Sequence, residues 1–349
     1  MRILLLAVAI LFLATIQTSS AAGPKRPLTG DANLTYDSLD KALLKFLDSI
    51  DATACTVVVS KDHKVLYSRG YGWHDESKKT PVKPDAFFRI ASITKAFTNA
   101  AVYESILAGR LKLDDAAFEK IAPKPKPLDP RVMTITIQQL LEHEGGWDPA
   151  MTFDPLFRQG IIAKELKLDD RSMAPCDAVR YMLTRELQFD PGAKSVYSNF
   201  GFLVLGRVLE AVEKKKTYFE CVESLVLKPA GITDVKPIQR RGDAREVWNP
   251  VKELPFELLD AAGGLVATAP AVDKFLQTHW LMGPRRKAED HYDVTFFGSI
   301  PGTTAMATQR ADGRNVTVLI NARREQHFHE DDARLKSLVD EELDKISGK

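Results

Sequence analysis

The chain opens with an almost unbroken apolar run, Ile3 to Ile16, behind the single charge Arg2, and Ser20-Ala21-Ala22 follows with small residues. This pattern predicts a cleaved secretory leader over 1–22. The alternative is a membrane anchor, but the run of about 14 residues is shorter than the roughly 20 that span a bilayer. No cysteine lies near the expected cleavage site, so no lipoprotein anchor is expected. Residues 23–34 read as a flexible arm. Apolar residues then recur at helical spacing from Ser38 to Leu47, behind a serine able to cap. Thr53 to Ser60 is a strand candidate, Lys61-Asp-His63 a turn, and Lys64 to Ser68 the returning strand.

The middle of the chain has helical periodicity. Ser92 to Leu107 is one helix candidate, closed by Gly109; Ile135 to His143 is a short one, ended by Gly145-Gly146. Further candidates are Cys176 to Leu183 and Phe202 to Val212, the latter with a strong apolar stripe before a solvated Lys214-Lys-Lys216 run. Pro123-Lys-Pro-Lys-Pro127 predicts a surface connection, because proline suits neither helix interior nor central strand. Strand character returns at Gly302–Gln309 and Asn315–Ile320, which flank the turn Asp312-Gly313. Glu330 to Ile346 ends the pattern as an acidic-capped helix. Strands and a helix at both ends of a helical middle predict one sheet completed by both termini.

Composition adds a boundary. The chain has 349 residues, 44% hydrophobic, with 48 basic and 47 acidic residues. Removing the leader takes away one basic residue and no acid, so the remainder is balanced. That balance calls for neither nucleic acid nor an anionic membrane surface as partner. Cys55, Cys176 and Cys221 have no zinc-site spacing. Cys55 lies in an apolar run and is expected as a buried free thiol; one disulfide is open, with no pair favoured. Asn33-Leu-Thr35 and Asn315-Val-Thr317 are glycosylation sequons, relevant only to a eukaryotic secretory route.

The candidate chemistry lies in two short motifs. Ser92 and Lys95 stand one helical turn apart, after the apolar approach Phe87-Phe-Arg-Ile-Ala91, which would place the serine at a buried helix start. A helix N-terminus favours developing negative charge, and a lysine at i+3 shares the serine's face. A lysine in a partly buried site can accept the serine proton. Ser38-Leu-Asp-Lys41 repeats the spacing, but reads as a helix cap with a solvated lysine. Tyr197-Ser-Asn199, on a loop between Asp190-Pro-Gly192 and the Phe202 helix, supplies a tyrosine able to serve as base and then acid near a cation. The Asn199 amide can orient the lysine or hold a substrate carbonyl. Each motif alone also fits a structural role, as a capping serine and a buried tyrosine. His143 reads as loop packing, and His327-Phe-His329-Glu-Asp-Asp332 as an acidic helix start rather than a metal site.

In combination, Phe88-Arg-Ile-Ala-Ser92-Ile-Thr-Lys95, Leu140-Leu-Glu-His143-Glu-Gly-Gly146, Phe189-Asp-Pro-Gly192 through Tyr197-Ser-Asn199-Phe-Gly201, Ala262-Gly-Gly264-Leu-Val-Ala-Thr268 and Gly298-Ser-Ile-Pro-Gly302 give the chain a family likeness. It resembles the serine β-lactamase and penicillin-binding-protein superfamily, in particular its class C β-lactamase-like and esterase branch. The resemblance implies an α+β fold, with an antiparallel sheet flanked by N- and C-terminal helices (35–88 plus 263–349) and an inserted, mainly helical lobe (89–262). It implies Ser92 as acylated nucleophile, Lys95 as its proton partner, Tyr197 as base, and Asn199 in contact with Lys95 and substrate. Gly298 would let substrate lie close to a strand, and the Ser299 N–H would complete an oxyanion hole with that of Ser92.

One position departs from the pattern. The family places Lys or His, any residue, then Gly; this chain has Phe296-Phe297-Gly298. Without that base, substrates with a free carboxylate fit less well than a neutral ester or amide. His291 could approach from a loop, though a surface histidine is the plainer reading. The expected function is a secreted or periplasmic serine hydrolase acting on a small-molecule ester, amide or peptide, with no cofactor and no metal. The alternative is a catalytically impaired binder of a peptide or cell-wall fragment, with Phe296 stacking on the ligand. A third class, a structural partner protein, has only the solvated charge runs behind it.

Overall fold

The structure is a computed structural model describing residues 26–30, 32–168, 173–238, 245–252, 254, 256–287, 290, 292–346 and 348. The expected leader (1–22) and His291 lie outside the described residues. Strands β1 (Leu28–Thr29), β2 (Ala54–Lys61), β3 (Lys64–Gly72), β4 (Phe87–Arg89), β5 (Val235–Pro237), β6 (Leu265–Thr268), β7 (Val294–Ile300), β8 (Thr303–Gln309) and β9 (Arg314–Ile320) form two sheets. The larger is antiparallel, in the order β1-β3-β2-β9-β8-β7. The fold is thus α+β, with β2 from the early chain joined to β9 from the late chain in the register Val58↔Thr317. Asn321 seals this junction: its amide oxygen accepts the Ala54 N–H at 2.8 Å, and its amide nitrogen donates to the Trp248 carbonyl at 2.8 Å.

Alternation along β2 sorts its side chains between two cores. Cys55, Val57 and Val59 pack with helix α1 (Asp37–Ser49) and the C-terminal helix Phe328–Ile346, through Leu39, Leu43, Leu335, Val339 and Leu343. Ala54 and Val58 face a second core shared with the helical lobe. A strand covered on both faces therefore reads in sequence as one apolar run. In that second core, helix α2 (Thr94–Leu107) is buried along most of its length and helix α3 (Asn199–Glu213) from Phe200 to Leu209 except Arg207. Among the described residues, no helix is long and apolar enough to cross a membrane.

Several expectations change in detail. The arm expected over 23–34 carries β1, which pairs with β3 as Leu28↔Tyr71, and a 3-10 turn at Leu34–Tyr36. An edge strand of two residues leaves too little periodicity to detect. β3 runs on to Gly72 because backbone pairing with β2 continues past the apolar stretch. Ser38 is not the cap of α1: Tyr36 holds that position, and Lys41 instead donates to Asp37 at 2.6 Å on the exposed face. The lobe expected to be mainly helical contributes β5 to a small antiparallel sheet in the order β4-β6-β5. All three cysteines are free, with Cys55 and Cys221 buried and Cys176 exposed. Asn315 of the second sequon is buried in β9 and accepts from Arg286 at 2.7 Å, so the folded chain does not offer it for modification.

One buried acid ties the sheet to the helix Ala269–Thr278. Asp273 accepts the Ser60 hydroxyl at 2.6 Å and the Gln277 amide at 2.7 Å. Burial pushes its pKa up to about 6. An acid with a raised folded pKa binds its proton more readily in the folded state. Its stabilisation is therefore complete below the ordinary carboxyl range near pH 4 and is lost as pH rises through about 6. Asp273→Asn is expected to melt above wild type at pH 8, by the equivalent of about 1–3 kcal/mol. Paired thermal melts across pH 4–8 test this, and a gap that does not widen through pH 6 contradicts it.

Candidate active site

Phe87–Arg89 pairs with β6, and the chain then turns sharply into α2. Ala91, just before the serine, has φ +45°, a conformation that costs a non-glycine residue energy and recurs where a side chain is held for function. Ser92 sits in a 3-10 turn, Ala91–Ile93, and Lys95 is the second residue of the helix proper, which begins at Thr94. The turn that carries Ser92 is pressed against β7. An added Cβ at Gly298 would lie 2.1 Å from the Ile90 carbonyl oxygen and 3.1 Å from the Ile93 nitrogen.

That contact corrects the role expected for Gly298. Its missing side chain makes room for the backbone that presents Ser92, so the glycine faces protein rather than substrate. Gly298→Ala is expected to cost about 1–3 kcal/mol of stability by overpacking, and to slow any acylation of Ser92. Denaturant melts and reaction with an acylating ester check both effects.

Around Ser92 the predicted residues converge. Its Oγ lies 2.7 Å from the Tyr197 hydroxyl, and Lys95 Nζ donates to it at 3.1 Å. Lys95 is 1% exposed and also donates to Asn199 Oδ1 at 2.7 Å and to the Ala262 carbonyl at 2.6 Å. Three acceptors match the three protons of an ammonium. Its Nζ also sits 4.8 Å from the Tyr197 ring centre. Tyr197 itself is 45% exposed and faces the cleft. Tyr197 and Ser198 lie on the expected loop, but Asn199 is the first residue of α3, capped by the Ser198 hydroxyl on the Gly201 N–H. The helix thus fixes the Asn199 side chain toward Lys95.

His143 shapes this loop. Its Nδ1 accepts the Ser198 N–H at 3.1 Å, its carbonyl accepts the Val196 N–H at 2.9 Å, and its ring packs 4.7 Å from that of Tyr197. Burial, and then the nearby Lys95 charge, push its pKa down to about 4. It is therefore neutral at neutral pH, as an acceptor must be. This fills the loop-packing role expected for it.

The cleft beside Ser92 has a volume of about 760 Å³, with walls that include Phe157, Leu259, Phe296, Phe297 and Ile300. Phe296 is half-buried and packs against the main core. Ser299 lines the wall next to it, on β7, the outermost strand of the sheet. An edge strand carries N–H groups along its open side that lack ladder partners.

Two charged residues of the site had no motif to mark them. Arg323, just past β9, reaches the cleft with Nη1 3.4 Å from Ser299 Oγ while its guanidinium pairs with Glu325. Asp154 accepts from the Asn199 amide at 2.6 Å. His327, in the acidic helix start, contacts Glu330 at 3.1 Å. Among the described residues, no group of three or more His, Cys, Asp or Glu is arranged to hold a metal ion.

Comparison with known proteins adds the following. A family model described as Beta-lactamase matches residues 39–330. The chain is 33% identical over 165 residues to the probable fimbrial assembly protein FimD, serogroup H1, of Dichelobacter nodosus, covering 47% of this chain and 39% of that protein. It is 30% identical over 203 residues to protein flp of Staphylococcus aureus (strain COL), covering 57% of this chain and 38% of that protein. The chain thus spans well under half the length of these curated relatives. Among solved structures, the D-amino acid amidase from Ochrobactrum anthropi SV3 superposes with a TM-score of 0.67 at 17% identity, covering 88% of this chain and 99% of that one. The octameric penicillin-binding protein homologue from Pyrococcus abyssi gives 0.64 at 19%, covering 81% and 73%. EstCE1, a hydrolase with promiscuous acyltransferase activity, gives 0.66 at 18%, covering 88% and 100%. At these identities the likeness is one of fold.

Proposed function

This chain belongs to the Beta-lactamase family, and from that premise we propose that it is a serine hydrolase that forms an acyl-enzyme at Ser92. The observation that carries the reading is the contact of Ser92 Oγ with both the Tyr197 hydroxyl, at 2.7 Å, and Lys95 Nζ, at 3.1 Å. Tyr197, as the phenolate beside the Lys95 ammonium, takes the Ser92 proton as Oγ attacks the substrate carbonyl carbon. The carbonyl oxygen becomes an oxyanion held by the backbone N–H groups of Ser92 and Ser299. Collapse of this intermediate breaks the bond to the leaving group, which takes the proton back from Tyr197. Water then repeats the sequence on the acyl-Ser92 ester, giving up a proton to Tyr197 and releasing the acid. No cofactor enters these steps.

The substrate class follows from the walls. Phe157, Leu259, Phe296 and Phe297 favour an apolar acyl group, and Phe296 leaves the cleft without the strand-borne base that would meet a carboxylate. Neutral esters and amides are the first substrates to test; one structural relative is named an amidase and another a hydrolase with acyltransferase activity. The leader-like pattern of residues 1–22 supports export to a periplasm or the cell exterior. A second reading, favoured by Phe296 alone, is a ligand-binding protein that no longer turns over. Intact mass of the protein after exposure to an acylating ester and, separately, to a penicillin separates the two. The expected result is an ester adduct on wild type that is absent from Ser92→Ala. Saturable binding with no adduct from either reagent would establish the second reading instead.

A further inference from the structure

Behind the lysine lies a carboxylate that no motif marks. Asp154 stands immediately before the 3-10 turn Pro155–Phe157, and its Oδ1 accepts the Leu156 N–H at 2.9 Å. Its Oδ2 accepts the side-chain amide of Asn199 at 2.6 Å, and the oxygen of that amide accepts from Lys95 Nζ at 2.7 Å. Among the described residues, Lys95 has no carboxylate within hydrogen-bonding distance; Asp154, one amide away, is a buried acid whose pKa is raised by burial and held back by its hydrogen bonds and the Lys95 charge.

The chemistry of the three groups dictates their order. An ammonium only donates and a carboxylate only accepts. Asn199, held between them, has one rotation that satisfies both, with its oxygen toward Lys95 and its nitrogen toward Asp154. An acceptor that can also donate, placed at 154, would leave both rotations open, and one of them aims N–H groups at Nζ. Lys95 would then lose one of its three acceptors and its fixed placement on Ser92 Oγ. Asp154 serves a second wall as well, because the turn it caps carries Phe157 into the cleft.

We propose that Asp154 is a positioning residue for the hydrolase reaction, acting through Asn199 to lock Lys95 against Ser92. This rests on the hydrolase reading above. The test uses the mature protein, with p-nitrophenyl butyrate for kcat and KM, intact mass for acylation, and thermal melts for stability. Asp154→Asn keeps the cap on Leu156 and removes the charge that orients Asn199. It is expected to lower kcat about 10- to 100-fold, the size of a lost charge-assisted hydrogen bond, with KM within about twofold and little change in melting temperature. Asp154→Ser, which also retains a cap acceptor, is expected to give the same fall. Asn199→Ala is expected to lose a similar amount, and the Asp154→Asn/Asn199→Ala double variant no more than either single one, since both break one chain of contacts. Additive losses, or a change confined to KM and melting temperature, overturn the role of Asp154 and leave the hydrolase reading standing. Absence of any wild-type adduct and turnover overturns that reading, and the positioning role with it.

Discussion

Ser92→Ala is expected to reduce hydrolysis of an acyl ester by about a thousandfold or more, and to abolish the covalent adduct, without loss of fold. The size follows from the role. A nucleophile that forms and breaks the acyl bond has no substitute in the site, and what survives its removal is binding and oxyanion stabilisation. The preserved fold follows from position: Ser92 is only partly buried, and its hydroxyl contacts Tyr197 and Lys95 rather than closing a backbone bond. Loss of its acceptor leaves Lys95 with Asn199 and Ala262, so the lysine stays in place. Steady-state kinetics with intact mass of the variant measure both parts. Undiminished turnover would remove Ser92 from the chemistry.

The second large effect is at Tyr197. Tyr197→Phe keeps the ring that packs against His143 and Lys95 and removes only the oxygen 2.7 Å from Ser92 Oγ. A fall in kcat/KM of about 10²- to 10⁴-fold is expected, the range for losing a general acid–base group. In the proposed mechanism the same group serves acylation and deacylation, so single-turnover acylation and release of the acyl group should both slow. A variant that acylates at the wild-type rate but stalls as the adduct would assign the first proton transfer to Lys95 instead. The His143 ring, neutral above about pH 4, accepts rather than donates on this loop, so it offers no replacement for the lost hydroxyl.

How far the site is readable from sequence differs from residue to residue. Ser92 and Lys95 are readable because a helix repeats every 3.6 residues, so i and i+3 share a face. Tyr197 and Asn199 are readable because a turn before them and an apolar stripe after them locate the start of α3. Asp154 and Arg323 are not, since each reaches the site from an irregular segment with neither periodicity nor motif. Gly298 shows the opposite failure. The glycine signals close approach, but sequence does not say what approaches, and here it is the Ile90 backbone. In the fold, most long strands and helices stand out in the apolar pattern, although β7 and the helix Ala269–Thr278 do not. β1 and β5, two and three residues long, are defined by their pairing partners and carry too few side chains to show a period.

The junction of β2 with β9 has a consequence for how the chain is made. Ser60 and Asn315 sit opposite each other across these strands although 255 positions separate them. The middle of the large sheet therefore cannot form on the ribosome until nearly the whole chain has emerged. Pairing of such remote segments is slow, because loop closure precedes any gain from contact. Through most of synthesis the early strands remain without their partner. A polypeptide in that condition holds no finished sheet that would have to be undone before it passes a narrow opening.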